Sequence, residues 1–222
     1  MNSQELFNKV SMHLLTQLEK SWGELPDGTM GCMYGHSGGK QCAIGPLLRN
    51  PTNWETHGIL DISRSEYIDP PDDTVPDSLI RSLQFVHDDK EVDDWRKGLQ
   101  EVATEFSLTM IPYTLEEVFR ISAKHLLKQG VKSITVSGVC KYRGPNGLMC
   151  AAGPFVKDDC PEGEKFSVMQ PFWIEGITVD VVPLINSLQI LHDWTDPCNW
   201  KQALTELYMK AFKGKEIPEY LR

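Results

Sequence analysis

Apolar residues recur every three or four positions in one block of each half of the chain, which predicts an amphipathic helix in each half. In the second half this block follows Thr114, and Thr114–Leu115–Glu116–Glu117 is typical of a helix start. Its apolar stripe consists of Val118, Ile121, His125 and Leu126. We expect this helix to end at Gly130, and the corresponding helix of the first half to end by Trp22–Gly23.

A strand-like segment and a turn follow each of these helices. In the second half the strand covers 133–142, and the turn at Gly144–Gly147 follows it. The proline of this turn has a fixed φ, and the asparagine and glycine after it tolerate a positive φ, which suits a hairpin loop. Residues 148–152 form the returning arm of this predicted hairpin. In the first half we expect 37–39 to make the same turn, after a separate turn at 26–28.

Two further helices are predicted in each half, at 79–86 and 95–106 and at 182–191 and 200–212. The order helix, β-hairpin, helix, helix therefore occurs twice. We expect an α+β fold of two tandem, structurally similar modules, residues 1–108 and 112–222, packed as a pseudo-two-fold dimer.

The halves share residues as well as patterns. The segments Cys32–Leu47 and Cys140–Phe155 share C-x-Y-x4-G-x2-C-A-x-G-P, and Leu79–Asp88 and Leu184–Asp193 share L-I-x-S-L-Q-x-x-H-D. Tryptophans then match at Trp95 and Trp200. Upstream, Phe7, His13–Leu15 and Gln17 match Phe119, His125–Leu127 and Gln129. Three blocks in the same order indicate an internal repeat, and the recurring tryptophans are predicted to be core residues.

Charge and composition narrow the range of partners. The 222 residues carry a formal net charge of −9, which argues against a protein held to nucleic acid by phosphate contacts. No apolar run approaches the roughly 18 residues of a membrane span. Six dispersed cysteines without an export signal predict reduced thiols. We expect a cytoplasmic protein, with neither a nucleic-acid nor a membrane partner.

The repeated cysteines and histidines allow two chemical interpretations. They are Cys32, Cys42, Cys140 and Cys150 with His13, His87, His125 and His192. A Cys2His2 zinc site in each half is conceivable, but nine residues separate the cysteines of each motif, a poor spacing for zinc. Buried thiols and hydrogen-bonded core imidazoles are the favoured alternative. We therefore predict no metal site and no cofactor.

A cysteine nucleophile is the second chemical interpretation. It requires a thiol beside an imidazole that a carboxylate orients, and His87–Asp88 and His192–Asp193 offer the residue types. Adjacent residues of a helix are not expected to face each other. On this argument we predict no catalytic residue.

The glycine-rich turns are candidate ligand sites, because their exposed amides and a nearby cation suit a small anion. The predicted ligand-binding residues are Tyr34, Lys40, Tyr142, Arg143, Asn146, Trp173 and Trp194. Ordinary hairpin turns are the alternative. The acidic segment 66–94 offers a different possibility, a surface for a basic partner, although a solvated face explains it too.

The second copy of the motif resembles a family of short phage and bacterial proteins of unassigned function. The residues that carry the resemblance are C-K-Y-R-G-P-N-G-L-M-C-A-A-G at 140–153, with the flanking Phe119, His125–Leu127 and Leu188–Asp193. The family motif usually occurs once, and here it occurs twice. The first copy departs from it, because Gly35, His36 and Ser37 replace Arg, Gly and Pro. The resemblance implies a phage or mobile-element source.

Together these observations favour a non-catalytic phage-type protein that sequesters a small phosphorylated or nucleotide-like signal of host antiviral defence. It would act as a monomer that is itself a pseudo-dimer, or as a higher homo-oligomer. Two alternatives stay open: an acidic interaction module that inhibits a host defence protein, and a nucleotide-cleaving enzyme.

Overall fold

The computed structural model describes residues 1–25, 27–35, 38–54, 62–135, 140–157 and 176–222. The chain divides into two compact units, Met1–Ile111 and Pro112–Arg222, and each has its own apolar core. Helices and a two-stranded antiparallel sheet are both present, so the predicted α+β class is confirmed.

The first unit contains three helices and a short hairpin among its described residues. The elements in chain order are α1 (Ser3–Gln17), β1 (Trp22–Glu24), β2 (Met30–Cys32), α2 (Asp77–Asp89) and α3 (Trp95–Glu105). The two strands pair with Trp22 opposite Cys32, which brings the start of β1 to the end of β2.

The hairpin of the first unit differs from the prediction. Its strands close around the turn that contains Asp27 and Gly28. The predicted turn at 37–39 lies partly outside the described residues, because Ser37 is not described. The cause is an early end of α1, where Leu18 takes a left-handed conformation with φ 48° and caps the helix. Trp22, expected near the helix end, therefore begins a strand instead.

The second unit also contains three α-helices among its described residues. They are α4 (Leu115–Gln129), α5 (Val182–Trp194) and α6 (Trp200–Ala211). Thr114 and Glu117 form a capping box at the start of α4, and Gly130 ends it in a left-handed conformation, as predicted.

The predicted strands of the second unit are reduced to isolated bridges among the described residues. Ile134 pairs with Cys140, and both residues precede the turn at Pro145–Gly147. Arg143 pairs with Met149 on either side of that turn. Asn146 and Gly147 have φ of 59° and 74°, so the prediction of positive φ at this turn is confirmed. Residues 136–139 of the predicted strand lie outside the described part of the chain.

The paired tryptophans are core residues, as predicted. Trp95 and Trp200 are 0% exposed, and so are Leu83 and Leu188 of the preceding helices. Each tryptophan packs against a histidine, with centroids 5.4 Å apart for His87 and 5.5 Å for His192. These histidines are the centre of the candidate site. None of the helices in the described ranges is long and apolar enough to cross a membrane.

Candidate functional site

Each unit gathers its two motif cysteines, a glutamine, a histidine and an aspartate into one polar group, here called the thiol–imidazole cluster. Its members are Cys32, Cys42, Gln84, His87 and Asp88 in the first unit, and Cys140, Cys150, Gln189, His192 and Asp193 in the second. The last turn of α2 or α5 supplies the histidine and the aspartate. The segment that carries the repeated motif supplies both thiols.

In the first unit the imidazole of His87 is fully buried and uses both ring nitrogens. Nδ1 lies 2.8 Å from Asp88 Oδ1 and 3.4 Å from Cys32 Sγ. Nε2 accepts a hydrogen bond from the backbone N–H of Ser21 at 3.1 Å. The imidazole thereby connects the end of α2 to the start of the hairpin.

The second unit has the same arrangement. His192 Nδ1 lies 2.7 Å from Asp193 Oδ1 and 3.7 Å from Cys140 Sγ, and Nε2 accepts from the Ser133 N–H at 3.1 Å. A lysine also binds the aspartate's backbone carbonyl in both units, Lys20 at 3.1 Å and Lys132 at 2.8 Å. The hydrogen bonds of the two clusters thus join the same types of residue, run in the same directions and have nearly the same lengths.

The histidine–aspartate contact corrects the argument that adjacent helix residues do not face each other. The rule describes Cβ directions, whereas Nδ1 is the ring nitrogen nearest to the backbone and the aspartate side chain is short. The two groups therefore meet across the helix surface, at 2.8 Å in His87–Asp88 and 2.7 Å in His192–Asp193.

The Ser21 N–H determines the protonation state of His87. A backbone N–H can only donate, so Nε2 must present its lone pair and Nδ1 must carry the ring proton. Burial opposes a charged ring, and hydrogen bonds to Asp88 and Cys32 favour it; on these contacts alone the pKa of His87 rises to about 9. The Ser21 donor acts against that charge, because a proton on Nε2 would point at another N–H. We therefore treat the ring as neutral.

The glutamine amide joins the carboxylate to the thiol. Gln84 Nε2 donates to Asp88 at 2.9 Å and to Cys32 Sγ at 3.3 Å, and Gln189 does the same at 2.9 Å to both partners. The reversed amide would place its oxygen against a carboxylate, which fixes the orientation. Gln84 Oε1 and Gln189 Oε1 are buried without a hydrogen-bond partner among the described residues.

The aspartate carries the negative charge of the cluster. Burial raises the pKa of Asp88, but hydrogen bonds from His87, Cys32 and Gln84 outweigh it and hold the pKa below its usual value. The same contacts lower the pKa of Asp193. Each carboxylate is thus ionised at neutral pH and serves as the common acceptor.

The outer cysteine is a thiol at neutral pH. The hydrogen bond between Cys32 and Cys42, together with burial, raises the pKa of Cys32 well above its usual value, and the contact with His87 only partly offsets this. The pair Cys140 and Cys150 behaves in the same way.

These directions do not match a nucleophilic triad. In a triad one ring nitrogen takes the proton of the nucleophile while the other donates to the orienting carboxylate. Here Cys32 and Asp88 share Nδ1, which already carries a proton, and Nε2 is occupied by Ser21. The imidazole therefore has no lone pair available to the thiol.

A metal ion fits the cluster poorly for the same reason. Cys32, His87 and Asp88 offer ligand atoms within 4.8 Å of one another, as do their counterparts in the second unit. A neutral histidine that binds a metal through Nδ1 carries its proton on Nε2 and donates it to an acceptor. In this structure that proton would face the Ser21 N–H. His13 and His125, the other candidate ligands, bind the carbonyls of Gln41 and Met149 instead.

The predicted ligand-binding residues occupy varied positions. Tyr34 is buried, and Lys40 forms an ion pair with Glu19. Arg143 donates to the Val156 carbonyl at 2.7 Å. Their placements follow from the local packing of each motif.

The remaining predicted residues belong to the second unit. Tyr142 packs against its core, Asn146 is exposed in the turn, and Trp194 is 85% exposed at the end of α5. Trp173 lies outside the described residues.

The first unit has a cleft beside its glycine-rich loop, with a volume of about 630 Å³. It is lined by Glu24, Met33, Gly35, Gly39, Gln41, Pro51 and Thr52. Gly35 approaches Pro51 so closely that an added Cβ would lie 3.0 Å from its ring. The cleft is large enough for a small ligand and offers one carboxylate, one amide and one hydroxyl.

Comparisons with protein-family models, with curated proteins and with solved structures give no significant match.

Sequence reasoning missed Gln84, Gln189, Ser21 and Ser133 as members or partners of the clusters. The glutamines stand four residues before the aspartates inside the repeated L-Q-x-x-H-D block, a spacing that places them on one helix face. That signal was present in the sequence. The serines contribute a backbone N–H, which no residue pattern reveals.

Proposed function

We propose that this chain is a non-catalytic binding protein that sequesters a small nucleotide-like molecule, and that it serves a phage against a host defence signal. The direction of the hydrogen bonds around His87 and His192 supports the proposal that the protein is not an enzyme. Because each ring presents a proton on Nδ1 and receives one at Nε2, it cannot act as the base for the adjacent thiol. The hydrogen bonds to the two rings instead hold the motif segments in place.

The cleft supports a small ligand. Its volume of about 630 Å³ lies in the usual range for small-molecule sites. Glu24 and Gln41 can accept and donate the hydrogen bonds that a nucleobase edge requires. Gly39 carries no side chain and no atom lies within 4 Å of the position a Cβ would take, so a flat ligand can approach the backbone there.

Lys40 is the candidate phosphate contact. It directly precedes the cleft residue Gln41 and now pairs with Glu19, whose side chain is 60% exposed. An exposed pair of this kind contributes only about 0–1 kcal/mol, so a phosphate can replace the carboxylate at little cost.

The phage role rests on the resemblance of residues 140–153 to short phage and bacterial proteins. We further propose that the chain arose by tandem duplication of one module, because both units carry the same cluster with the same partners. The pseudo-two-fold packing of the two modules stays a prediction.

Titration calorimetry with cyclic dinucleotides and ADP-ribose tests the proposal. We expect saturable heat with at least one of these probes, and a large loss of affinity in Lys40→Ala because the phosphate contact is removed. Lys9→Ala is the matched control, since Lys9 also forms an exposed ion pair in the same unit, with Asp69. It should bind as the wild type does.

The absence of heat with every probe would contradict the proposed ligand class. An equal loss of affinity in both lysine variants would contradict the assignment of Lys40. Conversion of a probe to a product would contradict the non-catalytic role and favour the nucleotide-cleaving alternative.

One observation favours a protein partner as a second candidate function. Phe85 and Ile190 occupy the same position in the repeated helices α2 and α5 and are 55% and 60% exposed. Exposed apolar residues at matched positions suit an interaction surface. Phe85→Ser should then abolish capture of a host protein while it leaves calorimetric binding of small probes unchanged.

A further inference from the structure

The two cysteines of each motif interact through their side chains. Cys42 raises the pKa of Cys32, and Cys150 raises that of Cys140. All four are free thiols in this structure. The Cys42 N–H also donates to the carbonyl of Met33 at 3.1 Å, which holds the backbone of the second cysteine beside the residue that follows the first. In the second unit the Cys150 N–H donates to the carbonyl of Tyr142 at 3.3 Å, so both motifs bring the backbone of their second cysteine back toward the first.

The members of each pair differ in access. Cys32 and Cys140 are partly exposed, whereas Cys42 and Cys150 are 0% exposed. An external disulfide can reach only the outer sulfur, and the inner sulfur can react only with the outer one. This is the division between an attacking and a resolving thiol.

Hydrogen-bond donors surround the outer sulfur. Gln84 Nε2 lies 3.3 Å and His87 Nδ1 lies 3.4 Å from Cys32 Sγ, and Gln189 Nε2 lies 2.9 Å from Cys140 Sγ. Donors in these positions stabilise negative charge on the sulfur when it attacks or leaves. They do so without any need for the imidazole to act as a base.

We propose that each unit carries a redox-active dithiol, Cys32–Cys42 and Cys140–Cys150, that exchanges with low-molecular-weight disulfides. The thiolate of Cys32 attacks one sulfur of the external disulfide, forms a mixed disulfide and releases one thiolate. The thiolate of Cys42 then attacks Cys32 Sγ, breaks the mixed disulfide and releases the second thiolate. The two protein thiols lose two electrons and two protons, and the external disulfide gains them as two thiols.

The exchange is expected to be slow at neutral pH. The titratable groups that face Cys32 among the described residues are Cys42, His87, Asp88 and Tyr34. Burial and the contact with Cys42 raise the pKa of Cys32, so few molecules carry the reactive thiolate. The exposed Cys198 should react sooner, but only as far as a mixed disulfide.

Peptide mapping of the full chain after incubation with oxidised glutathione tests the proposal. The protein is alkylated, digested with trypsin without reductant and measured by mass spectrometry. We expect Ser21–Lys40 joined to Gln41–Arg49, and Ser133–Lys141 joined to Gly144–Lys157, each with the loss of two hydrogens. Cys198 should carry glutathione.

The variant Cys42→Ser isolates the first step. It should accumulate glutathione on Cys32, because the resolving thiol is missing, while the second unit still forms its disulfide. Cys198→Ser is the control and should form both disulfides. The peptide map of the wild-type protein tests the proposal even if a variant fails to fold. Glutathione retained on Cys32 and Cys140 of the wild type, or alkylation of all four cluster cysteines, would overturn the proposal.

Discussion

At the scale of residues, the decisive contact is a backbone N–H that fixes the proton of a buried histidine. The backbone N–H groups of Ser21 and Ser133 each donate to Nε2 of a histidine ring. Because the other ring nitrogen carries the proton, neither ring has a lone pair left to act as the base of a triad or to bind a metal. The residue types alone could not make that distinction. Cysteine, histidine and aspartate in one cluster are equally consistent with all three roles.

The aspartate of the cluster gives a pH-dependent stability. Its pKa is lower in the folded protein than in the unfolded chain, because His87, Cys32 and Gln84 donate to the ionised form. The unfolded chain therefore binds the proton more readily, and stability is lost as the pH falls through the folded pKa. We expect Asp88→Asn to lower the melting temperature at pH 7, and this difference should shrink below about pH 4.

Asp89→Asn is the control for this experiment, since Asp89 is exposed on the next position of α2. Thermal unfolding at several pH values measures both variants. A difference between Asp88→Asn and the wild type that is the same at all pH values would contradict the assigned role of the carboxylate.

The glycine of the motif C-A-x-G-P is required by close packing. A Cβ at Gly45 would lie 1.9 Å from the carbonyl oxygen of Tyr34, and one at Gly153 would lie 2.6 Å from that of Tyr142. Gly45→Ala should therefore destabilise the first unit by roughly 1–3 kcal/mol through overpacking. Chemical denaturation measures this change in the free energy of unfolding. An unchanged midpoint would contradict the requirement for glycine at this position.

At the scale of elements, the helices were predictable and the strands were not. Thr114 and Gly130 marked the ends of α4, and the apolar period located α2, α3, α5 and α6. The β1–β2 hairpin was not predicted, because the left-handed cap at Leu18 is not a glycine and gives no signal in the sequence. The cluster escaped prediction because it joins segments more than 50 residues apart.

The paired tryptophans should dominate the stability of each unit. Trp200 is 0% exposed and its Nε1 donates to the Thr195 carbonyl at 3.1 Å, whereas Trp194 is 85% exposed. Trp200→Ala should cost roughly 3–5 kcal/mol, because it leaves a cavity against α5. Trp194→Ala is the matched control and should leave the unfolding midpoint nearly unchanged. Equal effects of the two variants would contradict the assigned core.

At the scale of the whole molecule, each of the two units holds a hydrogen-bond cluster, and described residues of the first unit line a cleft. The acidic net charge of −9 is compatible with a small ligand, which needs only local donors. The proposed function follows from what the clusters cannot do chemically and from what the cleft can accommodate. Its central claim is that a ligand is held without being changed.

Recovery of the bound ligand tests that claim most directly. The protein is incubated with a limiting amount of whichever cyclic dinucleotide or ADP-ribose gives calorimetric heat, then separated from free ligand, denatured and analysed by chromatography. The account predicts that the ligand is recovered intact and in a fixed stoichiometric ratio to the protein after prolonged incubation. A product that accumulates with time, or a probe that never co-elutes with the protein, would contradict it.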